Sequence, residues 1–185
     1  MGIVPGILAF GAVAAFSVFF YTAPPLRLVA RKGMGELLIG LNFGPLMTAG
    51  TVYALTGRVG ALDFLVGLPI GLLVTAILWI NQFPDAESDA ATGKNHLVVV
   101  LGKERARWGY AAIVFGAFII VLAASLSNLF PMGALAMLLL LPVAIYTTVI
   151  LFRHYQDRSL VRANSGTIAM HALAGIVMAA GLLLF

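Results

Sequence analysis

Three carboxylates fall within five positions of the stretch NQFPDAESDAATGKN, residues 81–95: Asp85, Glu87 and Asp89, with Lys94 close behind. Asp85 and Asp89 are spaced i and i+4, which on a helix puts both on one face. Pro84 suits a first helical turn, where its missing N–H costs nothing, so the sequence predicts a short helix from Pro84 to about Ala91 that stops at Gly93. Asn81, four positions earlier, extends that face if the preceding helix continues without a sharp break. Two chemistries are open. In one, the acids form an acidic first turn that complements the helix dipole. In the other they hold a cation, because like charges at i, i+4 repel and a divalent ion between them reverses the sign. A hard ion such as Mg²⁺ takes one or two carboxylates together with substrate phosphates. Lys94 and the basic residues of 23–36 would neutralise the same phosphates, and the second reading is then a diphosphate site. Glu87 points off the shared face and reads as a solvated charge.

The elements that must position these residues are membrane spans. The chain of 185 residues is 62% hydrophobic and 10% charged, with a mean hydropathy of +1.05. A soluble domain is roughly half apolar and a quarter charged, so the composition predicts one all-α membrane domain over 1–185. Six stretches are apolar and long enough to cross a bilayer as helices: about 3–22, 37–56, 60–80, 108–126, 130–152 and 167–185. Loops 23–36 (Arg27, Arg31, Lys32), 81–107 (Lys94, Lys103, Arg105, Arg107) and 153–166 (Arg153, Arg158, Arg162) hold ten of the eleven Lys and Arg residues. All three lie on one side of a six-span bundle, which predicts that they are cytoplasmic and that both termini lie outside. The net charge of +4 is therefore a topology signal and not a nucleic-acid signal. Cysteine is absent, which excludes a disulfide framework and a thiolate metal site. The first span lacks the positive region of a cleavable signal peptide. An uncharged start on the outer side reads as the continuation of a longer protein.

Residues 81–102 resemble the second aspartate-rich motif of the UbiA-type intramembrane prenyltransferases: Asn-x3-Asp-x3-Asp, then Gly-Lys and an apolar run ending in Leu-Gly. YTAPPLRLVARKGMGE, 21–36, is similar to that family's loop between its fourth and fifth helices. NFGPLMTAG, 42–50, resembles the branch that makes menaquinone, the 1,4-dihydroxy-2-naphthoate polyprenyltransferases. The likeness runs through about 21–107. It implies a nine-helix fold of which these six spans match helices four to nine, in a prokaryotic cell membrane. The first aspartate motif is then absent, and a second chain supplying the missing helices is an implied partner.

The family joins an allylic polyprenyl diphosphate to an acceptor, often an aromatic ring, with Mg²⁺ on the diphosphate. The resemblance makes Asp85 and Asp89 the catalytic metal ligands and sets Asn81, Lys94, Arg27, Arg31 and Lys32 on the diphosphate. Tyr21 and Asn42 would border the substrate cavity. Many relatives carry Tyr-x3-Lys, whereas here Tyr21 is followed at that spacing by Pro25, with Arg27 two positions further. Arg31 and Lys32 are equally explained by the positive-inside rule. The motif fits naphthoate, hydroxybenzoate, homogentisate or glycerol phosphate lipid acceptors, and NFGPLMTAG favours naphthoate.

Other residues have plainer expectations. Asn42 is read as a cavity residue or as a helix–helix hydrogen bond, and His171 as packed in a bundle interface. His96 and His154 are expected at the membrane surface, without the spacing of a metal pair. Asp63, with Arg58, is expected to cap the outer end of a span. The aromatic residues at 16, 19, 20, 64, 79 and 83 either line a prenyl cavity or face lipid and core. Two rival classes remain beside an inert piece of the same family. A CDP-alcohol phosphotransferase would need an Asp-Gly…Ala-Arg element that is missing, with Asn in place of Gly at 81. A transporter would carry its acids near the membrane midplane and not in a loop.

Overall fold

The computed structural model describes residues 5–184; Met1 to Val4, where the first expected span begins, and Phe185 lie outside them. The described residues form α1 (Pro5–Thr22), α2 (Met34–Leu41), α3 (Met47–Thr56), α4 (Ala61–Ala91), α5 (Leu97–Leu101), α6 (Lys103–Leu126), α7 (Leu141–His154) and α8 (Val161–Leu184). A π turn over Asn42–Leu46 joins α2 to α3, and a 3₁₀ segment, Met132–Leu140, leads into α7. Six of the resulting helical units are long and apolar enough to cross a membrane. The chain is an all-helical integral membrane protein, as its composition requires.

The helices run further than the apolar stretches. α6 starts at Lys103 and α8 at Val161, because extending a formed helix costs little once its nucleus exists. The largest departure is at Pro84, where no new helix begins. α4 is one helix of 31 residues that runs through Pro69 and Pro84. Proline's fixed φ is itself helical, so each ring removes a hydrogen bond without forcing a stop. At 1.5 Å per residue α4 is about 46 Å long, more than the roughly 30 Å of a hydrocarbon core, and its last turns stand beyond the apolar layer.

The π turn has a local cause. Pro45 lies inside it and has no N–H to donate to the carbonyl four residues back, and a wider turn absorbs that loss. Beside it Gly44 packs on α4 so closely that a Cβ there would lie 2.5 Å from the Gly71 Cα, the small-residue contact that lets two membrane helices touch by their backbones. The core lies between α4, α6, α7 and α8, around Leu73, Ile80, Phe83, Val114, Leu151 and Met170. Several polar groups pair within it: the Tyr110 hydroxyl and Thr167 Oγ1 are 2.6 Å apart, Thr167 donates to the Ala163 carbonyl, and Trp79 Nε1 donates to the Ala106 carbonyl at 2.9 Å.

The three basic loops meet at one end of the bundle. Asn95 N–H donates to the Ala30 carbonyl at 3.1 Å, and Arg107 Nη1 donates to the Phe152 carbonyl at 3.3 Å. The same guanidinium lies over the rings of Phe152 and Tyr155. At the other end of α4, Asp63 accepts from Gly60 N–H at 2.7 Å and caps the helix start. It does so without Arg58, which forms no ion pair with it.

Candidate active site

Because α4 is unbroken, Asn81, Asp85 and Asp89 follow one another at about 6 Å intervals along a single face. The continuity also overturns the reading of an acidic first turn. Asp85, Glu87 and Asp89 occupy the last two turns of α4, where the dipole repels negative charge. An acid at that end is a cost that some other interaction must offset.

The offsets differ residue by residue. Glu87 is 90% exposed and pairs with Lys103 at 3.2 Å, the solvated charge expected of it. Asp85 is exposed and its carboxylate has no protein partner among the described residues. Asp89 is only 16% exposed in its side chain and is clasped from two sides. Lys94 Nζ donates to Oδ1 at 2.8 Å, and His96 Nε2 lies 3.1 Å from Oδ2. Gly93, at φ 72°, makes the turn that brings both residues back. His96 is buried, at 1% exposure, and its Nδ1 accepts from Val99 N–H at 3.3 Å. With Nδ1 an acceptor, the ring proton sits on Nε2 and is donated to Asp89.

His96 lies inside the site, seven positions past Asp89 and behind a glycine turn. Lys94 is likewise bonded to Asp89. Asn81 accepts from Asn164 Nδ2 at 2.7 Å, which ties this face of α4 to the start of α8. No periodicity pointed to Asn164, which comes from a loop-like stretch 83 positions away.

The basic loop is placed less directly. Arg27 and Lys32 are exposed, and neither forms an ion pair among the described residues. Arg31 turns inward on its own loop, with Nε on the Leu26 carbonyl at 2.6 Å and Nη2 on the Pro25 carbonyl at 3.2 Å. Among the described residues none of the three touches Asp85 or Asp89.

A cavity of about 720 Å³ lies between α1, α2, the π turn and α3, apolar apart from Ser17, Tyr21, Asn42 and Thr51. Asn42 borders this cavity; its Nδ2 donates to the Leu38 carbonyl of its own helix at 2.8 Å, and among the described residues it bonds no other helix. The rings on the cavity are Phe10, Tyr21 and Phe43. Those at 16, 19, 20, 64, 79 and 83 are not: Phe16 and Phe19 are exposed, while Trp79 and Phe83 are in the core. Asp85 and Asp89 do not border the cavity. At the cavity's edge the Tyr21 ring lies 3.6 Å from where a Cβ on Gly35 would be, next to Glu36.

The donor set fits Mg²⁺ in one way. No group of three or more His, Asp or Glu side chains among the described residues forms a protein cage. Two carboxylates on one face, one free and one oriented by two donors, match an ion held by one or two carboxylates and shared with substrate phosphates.

A model of the UbiA prenyltransferase family matches residues 2–173. The chain is 29% identical over 95% of its length to a 2-carboxy-1,4-naphthoquinone phytyltransferase of Synechocystis, of which it covers 57%. It is 32% identical over 70% of its length to a 1,4-dihydroxy-2-naphthoate octaprenyltransferase of Escherichia coli, of which it covers 41%. For the Haemophilus influenzae enzyme of the same description the figures are 33% identity, 76% of this chain and 45% of the relative. The chain thus spans about half the length of these relatives. No solved structure matches it.

Proposed function

The chain belongs to the UbiA prenyltransferase family, and from that premise we propose that it transfers a polyprenyl group from an allylic diphosphate to an aromatic quinone precursor. The relatives' acceptors, a dihydroxynaphthoate and a carboxynaphthoquinone, favour a naphthalene ring for this chain too. The observation that carries the reading is the Asp85/Asp89 pair in the last turns of α4, placed against the helix dipole, with Asp89 held by Lys94 and His96.

In this reading Asp85 and Asp89 hold Mg²⁺, which when bound supplies a Lewis acid on the diphosphate. Asn81 contributes an amide donor beside them, its oxygen being taken by Asn164. Lys94 shifts part of its charge from Asp89 to the diphosphate oxygens as negative charge builds there. Arg27 and Lys32, both exposed, supply further positive charge, while Arg31 holds the loop's shape. The allylic C–O bond breaks with its electron pair leaving on the diphosphate, an electron-rich acceptor carbon gives its electron pair to the vacated position, and that ring carbon then loses its proton or its carboxyl group as CO₂, which restores the aromatic ring. The apolar cavity bordered by Tyr21 and Asn42 accommodates the prenyl chain and keeps water from the cation. The basic loops then face the cytoplasm.

The length coverage favours a second reading within the same family: the chain is part of an enzyme and acts beside further helices, those before helix four of the nine-helix fold. The test is Mg²⁺-dependent transfer from a labelled polyprenyl diphosphate to a panel of aromatic acceptors, with the chain in membranes. Transfer that needs Mg²⁺ and is strongest with a dihydroxynaphthoate is the expected result. Transfer that is indifferent to Mg²⁺ would overturn the metal assignment. No transfer alone, but transfer once three preceding helices from a relative are fused or co-expressed, would establish the second reading.

A further inference from the structure

Lys94 to His96 form a short strap into α5, and its residues, with Leu97 at the start of α5, are tied to different parts of the molecule. Lys94 and His96 bond Asp89 through their side chains. Asn95 and Leu97 bond the other way through their backbone N–H groups, Asn95 to the Ala30 carbonyl and Leu97 to Glu36 Oε1 at 2.9 Å. One set thus faces α4 and the other faces the basic loop and α2.

The anchor on the second side is unusual. Glu36 stands in the first turn of α2 and is 3% exposed. One of its oxygens takes the Leu97 N–H, across 61 positions of sequence, and the other is buried without a partner. A buried acid with one hydrogen bond is expensive, and an apolar residue would serve plain packing better. The Leu97 side chain fits where Gly33 has none: a Cβ there would lie 3.2 Å from Leu97 Cδ1. Glu36 thus meets the strap one residue beyond His96.

We propose that Glu36 is a positioning residue for the aspartate site: by fixing Leu97 it sets His96 and Lys94 on Asp89, and so aims the Asp89 carboxylate at the cation and diphosphate. The inference rests on the reading of Asp85 and Asp89 given above. It differs from a charge role, because what it requires of Glu36 is one oxygen at the Leu97 N–H. Outer partners that orient a metal ligand typically change metal affinity by about 10–100-fold when removed.

The test separates the two levels. In the ¹⁵N-histidine-labelled chain in detergent micelles, the His96 ring shifts, assigned by a His96→Gln control, report which ring nitrogen carries the proton. Wild type should show the Nε2–H form. Glu36→Gln, which keeps an oxygen for Leu97, should retain it, and Glu36→Ala should give a mixture of both forms. Should Glu36→Ala not fold, Glu36→Asp, whose shorter side chain withdraws the oxygen, is read in the same way. An unchanged His96 in the Ala or Asp variant overturns the proposal, as does a Gln variant that behaves like Ala. In the transfer assay, Glu36→Ala should raise the half-saturating Mg²⁺ concentration about tenfold, with a smaller fall in kcat, and Glu36→Gln should restore it. Absence of transfer in wild type would count against the proposed function and leave the tautomer result standing on its own.

Discussion

The two ends of α4 both carry carboxylates, and they are satisfied in opposite ways. At the start, Asp63 lies three residues into the helix and accepts from the Gly60 N–H. The dipole favours it, and the contact is wholly local. At the finish, Asp85, Glu87 and Asp89 sit where the dipole disfavours them. Asp89 is stabilised by residues that return after a glycine turn and are themselves held by another helix. The first arrangement needs nothing beyond three residues of sequence. The second needs two loops and two helices to meet. An acid placed cheaply supports the fold; an acid placed at a cost, with outside help, is where chemistry is to be sought.

Substitutions can break that contrast. The largest effect is expected for Asp85→Ala and Asp89→Ala, which should each lower Mg²⁺-dependent transfer by at least about a hundredfold while leaving the helical circular dichroism signal unchanged. Asp63→Ala, run in the same assay, should leave transfer near wild type; equal losses at both ends would dissolve the distinction. Lys94→Ala comes next. It removes a charge-assisted hydrogen bond of the kind worth about 1.5–3 kcal/mol, and transfer should fall about tenfold. Asp63→Ala should act on stability instead, costing about 1 kcal/mol in a denaturant titration in micelles.

The smallest effect is at Asp157, between α7 and α8. His154 Nδ1 on one oxygen and Ser159 N–H on the other hold its carboxyl below the usual carboxylate range. A depressed pKa in the folded chain means that its contribution is present above the ordinary carboxylate pKa. It is lost as pH falls through the lowered value. Asp157→Asn should therefore reduce stability slightly at neutral pH and make no difference once the wild-type acid is protonated, as read from melting curves across pH.

Much of this could be anticipated from residues alone. Six apolar runs gave six spanning units, because hydropathy at that strength leaves few options in lipid. The basic loops gather at one end, and Asn81, Asp85 and Asp89 share a face. What stayed hidden depends on distant contacts. Pro84 signals a helix start by local preference, yet α4 passes through it, packed on α2, α6 and α8. His96 carries no local mark of burial, and its role emerges only when Gly93 turns the chain back. In sequence Glu36 closes the charged stretch 23–36, so nothing singled it out from Arg31 or Lys32. Its significance comes from a backbone N–H 61 positions away.

The π turn at Asn42–Leu46 sets the phase of everything beyond it. Cavity positions recur in pairs at 38 and 39, 42 and 43, 46 and 47, 50 and 51, and 54 and 55. In an unbroken α-helix each four-residue step would rotate the pair by about 40°, and by the fifth pair the wall would have swung away from the cavity. The wide turn acts as a leap day, inserting one residue so that the later pairs return to alignment. Removing one residue from this stretch would keep the composition and the span, yet rotate α3 by about 100° relative to α2.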